Sequence, residues 1–442
     1  MKQIALITLF AVIATLAGAQ STQAPPSPAV SGTVQDTPST PTYEPSDRPL
    51  SGVQNQDIGI SSESRNTLVP YFTMSTGWVS NAPRITQNNA VEGSGLTSLS
   101  GSISLLRDSR NDLTSLSYTG GGQIYTLDSS LNSQFHRFDF SQRFIAGRWT
   151  FLVADGMTYQ ADAFVSTPAL LFPGLPNGPG GVGYKPGVSP NETIIGQNIP
   201  RINNSSSGQV TYGFSRATSL TANASYGLLH YFDAGFLNTK QLGTGAGLDH
   251  RFGRNTVGVN YNFSRFTYDN FAERFDSHSI QAMFSRVLTG RWSFQAGGGP
   301  SIVVTGFGPF SSSKVYGGGT VGFQYHRQKS DIGILYGRAV TNGAGVAPGA
   351  ITDTLGLTLS RRLSRTVMAN VSGGYARNSG LFDNSGFNTF NVGAGLSRDI
   401  GRYSSASLGY SLQRQTGTAY PGLTNQGVTV SFRWGVKPIV LH

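Results

Sequence analysis

The sequence contains no cysteine, and it is poor in charge. The absence of cysteine from all 442 residues excludes disulfide bonds, thiolate metal sites, cysteine nucleophiles and a lipid-anchored cysteine. Charged residues make up only 12% of the chain, about half the share in an ordinary globular protein. A typical soluble surface is therefore not what this composition predicts.

Long apolar runs are also missing beyond the N-terminus. A transmembrane helix needs about 20 apolar residues, and no such run follows the first segment of the chain. The mean hydropathy is −0.16, although aromatic residues reach 11% and there are 57 glycines. Strands with one apolar and one polar face explain this combination.

The chain is basic, with a formal net charge of +10 and a sequence pI of about 9.8. Such a balance is found in proteins that bind nucleic acid. Here, however, the arginines occur singly or in pairs at regular positions, and they form no patch flanked by aromatic residues. The sequence therefore predicts no nucleic-acid partner.

The N-terminus predicts export. Residues 1–19 combine Lys2, an apolar stretch over residues 4–16 and the small residues Ala17-Gly18-Ala19, which is the pattern of a signal peptide. Residues 20–66 are rich in Pro, Ser and Thr without an apolar period. We expect these residues to form a disordered periplasmic arm, acting as a linker rather than as a partner-binding segment.

In residues 67–442 the dominant pattern is an alternation of apolar and polar side chains with a period of two, and six strands show it well. This alternation places the two sets on opposite faces of a strand. In one strand Val257, Val259 and Tyr261 alternate with Gly258, Asn260 and Asn262. The polar face is small and weakly charged, which suits an inner wall, so the apolar face is expected to meet lipid. The candidate pore-lining residues are Asn260, Asn262, Gln295, Thr358, Asn391 and Arg433.

Short basic turns separate the strands at intervals of about one hairpin. Arg143 and Arg148 mark one of eight such turns, and the connections between them are longer and more variable. This asymmetry is typical of a membrane barrel. The predicted fold is all-β, a transmembrane antiparallel β-barrel of about 18 strands, from residues 68–79 to residues 426–436. The first strand is the least well marked, and a barrel of 16 strands is the alternative.

A repeat of this length also occurs in soluble propellers and solenoids. A propeller blade packs four short strands into about 40 to 45 residues, whereas each period here contains two strands of about ten residues. A soluble all-β fold is therefore the less favoured alternative.

Several side chains fit the edges of a membrane-spanning band. The turn arginines have two interpretations: they bind lipid phosphates, or they only keep the turns soluble. Trp149 and Trp292 follow turns and suit an aromatic girdle. The opposite girdle is predicted from four residues, which are Tyr159, Tyr231, Phe232 and Tyr268.

This arrangement resembles bacterial outer-membrane β-barrels, and among them the general porins by size and hairpin rhythm. The resemblance implies a terminal strand that the barrel-assembly machinery reads, and its counterpart here comprises Val428, Val430, Phe432 and Trp434. Residues 435–442 depart from the pattern because they follow the last aromatic residue. The resemblance also implies the outer membrane of a Gram-negative-type bacterium, with outer-membrane lipids and small hydrophilic solutes as partners. An oligomer of identical chains is compatible with it.

The longest connection is predicted over residues 162–205, after the fifth strand. In the porins that this chain resembles, the loop at that place folds inward and narrows the pore. Here the segment carries few charges, so a constriction would lack facing acidic and basic clusters. An exposed loop is an equally good interpretation.

Chemistry-bearing motifs are scarce. The six histidines show no metal-ligand spacing, and we predict no catalytic residue, metal or cofactor. Asp276-Ser277-His278-Ser279 is a weak candidate for an outer-membrane lipid hydrolase. The leading function is passive diffusion of small hydrophilic solutes. The alternatives are a non-conducting barrel with a structural, assembly or secretion role and, less favoured, the hydrolase.

Overall fold

The computed structural model describes eleven stretches of the chain. They are residues 66–80, 93–109, 111–127, 129–160, 200–232, 236–269, 274–306, 312–343, 348–382, 386–417 and 422–440. The predicted signal peptide and, apart from Asn66, the predicted arm lie outside the described residues. In the described stretches, no helix has the length and apolar character needed to cross a membrane.

Nearly all described residues belong to β-strands. In chain order the strands are β1 (Asn66–Val79), β2 (Ser94–Asp108), β3 (Asp112–Tyr125), β4 (Ser133–Ala146), β5 (Trp149–Gln160), β6 (Arg201–Gly213), β7 (Thr218–Tyr231), β8 (Thr239–Phe252), β9 (Asn255–Tyr268), β10 (Arg274–Val287), β11 (Trp292–Thr305), β12 (Ser312–Arg327), β13 (Ser330–Thr341), β14 (Ala350–Arg362), β15 (Val367–Gly380), β16 (Gly386–Asp399), β17 (Ser404–Gly417), β18 (Leu423–Gly435) and the two-residue β19 (Ile439–Val440). A single-turn 3-10 helix, Ser129–Leu131, lies between β3 and β4.

The sheet closes on itself. Each strand from β1 to β18 pairs antiparallel with its neighbours in sequence, and β1 also pairs antiparallel with β18. In that seam Met74 lies opposite Phe432. The fold is thus a closed antiparallel barrel of 18 strands, as predicted, and closure leaves no long edge with unpaired backbone groups.

The connections differ between the two ends of the barrel. Eight short turns lie at one end, which we call the turn end, and glycines with positive φ form two of them, Gly147 and Gly253. Most of the nine connections at the opposite loop end are longer. The even number of strands places the start of β1 and the end of β18 together at the turn end. There β19 extends the pairing, with Leu68 opposite Ile439.

Side chains alternate between an inward and an outward face, and the usual distribution of polarity is reversed. On β9, Val259 points outward and is 57% exposed, whereas the next residue, Asn260, points inward and is 4% exposed. The exposed large hydrophobic residues of β1 to β18 lie on the outward face, and the buried polar residues lie on the inward face with one exception, Asn204. This is the pattern of a barrel surrounded by lipid.

The longest connection follows the fifth strand, as predicted, but its predicted end was wrong. β6 begins at Arg201, so residues 201–205 belong to a strand, where their alternation continues the inner and outer faces. The predicted inward fold of this loop concerns residues 161–199, which lie outside the described part of the chain.

Candidate functional site: the inner wall of the barrel

The predicted pore-lining residues share the inward face. The strand registers place one or two of them on each of five strands, since Asn260 and Asn262 lie on β9, Gln295 on β11 and Thr358 on β14. Asn391 lies on β16 and Arg433 on β18. Each alternates with exposed outward residues such as Val259, Leu357 and Phe390. The six therefore contribute to one wall, although they form no compact cluster.

Many amide oxygens on this wall are buried without a partner in the described part of the chain. Those of Gln209, Asn223, Asn260, Asn262 and Gln413 are buried, and no hydrogen bond to them is found among the described residues. A buried carbonyl oxygen without a partner is costly unless water satisfies it. The inner wall is therefore lined by polar side chains and differs from an apolar core.

The inward face also carries charged groups. On β4 the Arg137 guanidinium Nε lies 2.7 Å from a carboxylate oxygen of Asp139, and the Ser117 hydroxyl donates to the same carboxylate. Nearer the turn end, His326 on β12 faces Asp331 on β13 across a hydrogen bond.

Arg433 lies near the turn end of the inner wall. Its guanidinium carbon is 3.7 Å from the ring centroid of Tyr71 on the neighbouring strand β1, a cation–π contact. The side chain is 7% exposed. The ring of Tyr71 thus holds one positive charge close to the seam between the first and last strands.

An apolar cluster covers part of the inner wall at the loop end. Its buried members are Phe266, Tyr268, Phe275, Val303 and Leu381. The first four point inward from β9, β10 and β11, whereas Leu381 follows β15. The rings of Phe266 and Phe275 lie 4.5 Å apart. Apolar side chains on the inward face were not predicted, because the alternation assigns apolar residues to lipid.

This cluster joins strands that are not neighbours in the sheet. The hydroxyl of Tyr268 on β9 donates to the backbone oxygen of Asn342, which follows β13, at 3.1 Å. Four strand spacings separate β9 from β13 along the wall, about 19 Å. The described ends of the connections after β13 and β15 therefore reach toward the inner face of β9 and β10, and we call the cluster together with Asn342 and Gly349 the mouth cluster.

A glycine permits this close approach. Gly349, just before β14, has a φ of +96°, a conformation that glycine adopts without strain. A Cβ at this position would lie 2.7 Å from Phe275 Cε1 and 2.8 Å from Leu381 Cδ1. Gly349 thus lets the connection to β14 pack against the inward ring of Phe275.

The aromatic girdle is clear at the turn end. Trp149 and Trp292 point outward and are 45% and 43% exposed. Each packs against a tyrosine of the next strand: Trp149 lies 4.6 Å from Tyr212, and Trp292 lies 4.7 Å from Tyr325.

At the loop end the girdle prediction was half wrong. Tyr159 and Phe232 have outward positions, and their rings are 6.2 Å apart. Tyr231 and Tyr268 point inward and are buried. Outward residues have even numbers on β7 and odd numbers on β9, so Tyr231 and Tyr268 fall on the inward face.

The arrangement around His278 does not support a hydrolase. His278 and Asp276 are on the outward face of β10, whereas Ser277 and Ser279 are on the inward face. Nδ1 of His278 lies 2.8 Å from the hydroxyl of Tyr261, and its ring packs against Phe263. The proposed Ser and His are therefore on opposite sides of the sheet. No group of three or more metal-ligating residues occurs among the described residues.

The predicted assembly strand forms the outward face of β18. Val428, Val430, Phe432 and Trp434 are all exposed, and Trp434 pairs with Phe72 across the seam. Residues beyond the last aromatic are not free, since Val436 donates its backbone N–H to Pro70 and Val440 pairs with Thr67 in β19.

The sequence matches no protein-family model, and it matches no curated protein. Its structure is similar to the crystal structures of Pseudomonas aeruginosa OccK9 (OpdG), with 11% identity, a TM-score of 0.44 and coverage of 84% of this chain and 98% of that one, and of P. aeruginosa OpdQ, with 8% identity, a TM-score of 0.44 and coverage of 85% and 98%. It is also similar to the ferric-catecholate import receptor Fiu of E. coli, with 8% identity, a TM-score of 0.42 and coverage of 85% and 82%.

Proposed function

We propose that this chain is an outer-membrane channel for passive diffusion of small hydrophilic solutes. The observation that carries the proposal is the reversed distribution of side chains, with large apolar residues on the outer face and polar residues such as Asn260 on the inner wall. A circular barrel of 18 strands, spaced about 4.8 Å apart and tilted about 40°, measures about 36 Å between opposite backbones. Barrels of this size leave room for an aqueous channel.

Solute selectivity would arise at two levels of the barrel. The mouth cluster narrows the loop end, and Arg433 contributes a positive charge near the turn end. A cation on the wall of a pore favours passage of anions. We therefore propose a weak preference for anions, and the six predicted pore-lining residues are proposed to contact the passing solutes.

A non-conducting barrel is the second candidate, and the mouth cluster is the observation that favours it. Asn342, just after β13, contacts Tyr268 on the inner face of β9, so the cluster would cover part of the mouth. Such a barrel would have a structural, assembly or secretion role, and it would conduct no ions across a bilayer.

Reconstitution into a planar lipid bilayer separates these two candidates. Discrete conductance steps are expected when the purified protein inserts, and sugars too large for the mouth should not reduce the conductance. Absence of steps from protein that migrates as a heat-modifiable folded barrel would contradict the channel and support the non-conducting candidate.

The outer surface and the two ends of the barrel suggest what surrounds it. Outer-membrane lipids would cover the exposed apolar belt, and the turn arginines would bind lipid phosphates. The outward face of β18 would be read by the barrel-assembly machinery. The arm over residues 20–66 would remain in the periplasm, since β1 begins at the turn end.

A further inference from the structure

One carboxylate faces outward at mid-height of the apolar belt. Asp155 is the seventh of the twelve residues of β5, and it shares the outward face with Trp149. It pairs with Phe140 on β4 and with Ser206 on β6. On the described strands, every other outward Asp, Glu, Lys or Arg lies within four residues of a strand end.

The depth of Asp155 follows from strand geometry. Six residues separate it from Trp149 in the turn-end girdle. At about 3.3 Å per residue and a tilt of about 40°, it lies about 15 Å above that girdle. An outer-membrane barrel has an apolar band about 25 Å tall. Asp155 is therefore near the middle of the band.

Two neighbouring polar side chains turn toward this carboxylate. The Ser206 hydroxyl donates to Asp155 Oδ1 at 2.5 Å, and Asn204 Nδ2 donates to the same oxygen at 3.3 Å. Asn204 is the buried polar residue that departs from the inward rule. Neither donor is cationic, so these bonds orient the carboxylate without neutralising it.

Lipid tails are a poor environment for this group of side chains. Hydrocarbon supplies neither hydrogen bonds nor counter-charge, and charged residues on the lipid face destabilise a barrel most near the midplane. A protein surface that covers the patch could supply hydrogen-bond donors. We call the patch formed by Asp155, Asn204, Ser206 and Tyr226 the belt patch.

The belt patch is complementary to itself. Asp155 is an acceptor, and the hydroxyl of Tyr226, which is 43% exposed directly beside Ser206, is a donor with no hydrogen bond found among the described residues. Acceptors and donors within one small area allow the same surface to pair with its copy across a two-fold axis. The adjacent outward residues Gly208, Ala222 and Ala224 are small, which permits close approach of two sheets.

We propose that the outward face of β5–β7, centred on Asp155, is the interface of a two-fold symmetric dimer of this chain. In the dimer, the Tyr226 hydroxyl of one copy reaches the Asp155 carboxylate of the other, and the paired surfaces shield both carboxylates from lipid. The inference rests on insertion of the barrel in a membrane and does not depend on passage of solutes.

The absence of native cysteine makes a cross-linking test specific. Gly208→Cys places one thiol beside the belt patch without touching Asp155, and a Cβ there would meet only Leu152 O, at 3.8 Å. The matched control is Leu357→Cys, which is exposed at mid-height of β14. A short bis-maleimide should give a covalent dimer from Gly208→Cys and little from the control. Equal cross-linking, or none from Gly208→Cys, would overturn the proposal.

Substitution of the carboxylate provides a second measurement. In lipid nanodiscs or mild detergent, Asp155→Leu should raise the concentration at which half of the protein is dimeric by about tenfold or more. Asp155→Asn should retain more dimer, because its amide oxygen still accepts hydrogen bonds. Heat-modifiable migration confirms that each variant folds, and conductance is recorded separately. A monomeric wild-type protein, or an Asp155→Leu variant that dimerises like the wild type, would refute the interface even if the channel conducts.

Discussion

At the scale of single residues, one step along a strand exchanges lipid for the barrel interior. Leu357 points outward and is exposed, whereas Thr358 points inward between Gly333 and Ser372. The face that a side chain occupies is therefore decided by whether its position along the strand is odd or even, and not by its chemistry. Two predictions follow from this alternation.

The first prediction compares arginine at two adjacent positions. Leu357→Arg puts a charge among lipid tails and should destabilise the folded barrel by about 2–4 kcal/mol. Thr358→Arg, the matched control, puts the same side chain on the inner wall and should change stability far less. Urea-dependent folding into lipid vesicles measures both free energies. Equal destabilisation by the two substitutions would contradict the assignment of the faces.

The second prediction concerns the charge near the seam. Arg433→Gln removes the cation held against Tyr71 and should shift the reversal potential in a KCl gradient toward lower anion preference. Arg365→Gln, in an exposed turn between β14 and β15, is the control for loss of one positive charge. The same shift from both variants would show that Arg433 has no special position in the ion path.

At the scale of elements, the strands and turns could be predicted closely from the sequence. Alternation together with basic turns predicted the eight short connections. It also predicted both ends of β18 to within three residues, because each strand must separate an apolar from a polar face. The mouth cluster could not be predicted in this way. Phe266 and Phe275 point inward although they are apolar, and their partners Asn342 and Leu381 come from distant connections.

The belt patch was missed for the related reason. Asp155 and Asn204 are polar residues on the outward face, and alternation alone would assign polar residues to the interior. Ser206 lies between two residues of inward parity, in a segment too polar to reveal which face is apolar. Only the register of β5 and β6 decides which way these side chains point.

A third prediction tests the mouth cluster as an element. Phe275→Ala removes a fully buried ring that packs against Phe266, so the connections from β13 and β15 should lose their support. Single-channel recordings should then show a larger or noisier conductance. Phe284→Ala, on the outward face of the same strand, should leave the conductance unchanged. A Phe275→Ala channel that is identical to the wild type would exclude the cluster as the narrow part of the mouth.

At the scale of the whole molecule, one seam turns a sheet into a barrel. Gly77 lies in that seam, and a Cβ there would approach the backbone oxygen of Val428. Gly101, on β2 beside the seam strand, would direct a Cβ into open space. A side chain at Gly77 would therefore interfere with closure of the barrel, whereas a side chain at Gly101 would not.

The fourth prediction uses this pair. Gly77→Val should reduce the fraction of protein that migrates as a folded, heat-modifiable barrel, because β1 can no longer approach β18 closely. Gly101→Val should fold like the wild type or better, since valine favours extended backbone. Comparable yields from both variants would mean that the seam tolerates a branched side chain.

The pairing of β1 with β18 also has a consequence in time. Synthesis delivers β1 long before its last partner, so one side of this strand stays without a mate until nearly the whole polypeptide has been made. An unpaired strand edge is prone to wrong pairing and aggregation, and pairing between distant parts of a chain is slow. We therefore expect this protein to need protection from aggregation before it reaches the membrane. Truncation of its final strand should prevent closure of the cylinder, even if the preceding hairpins form.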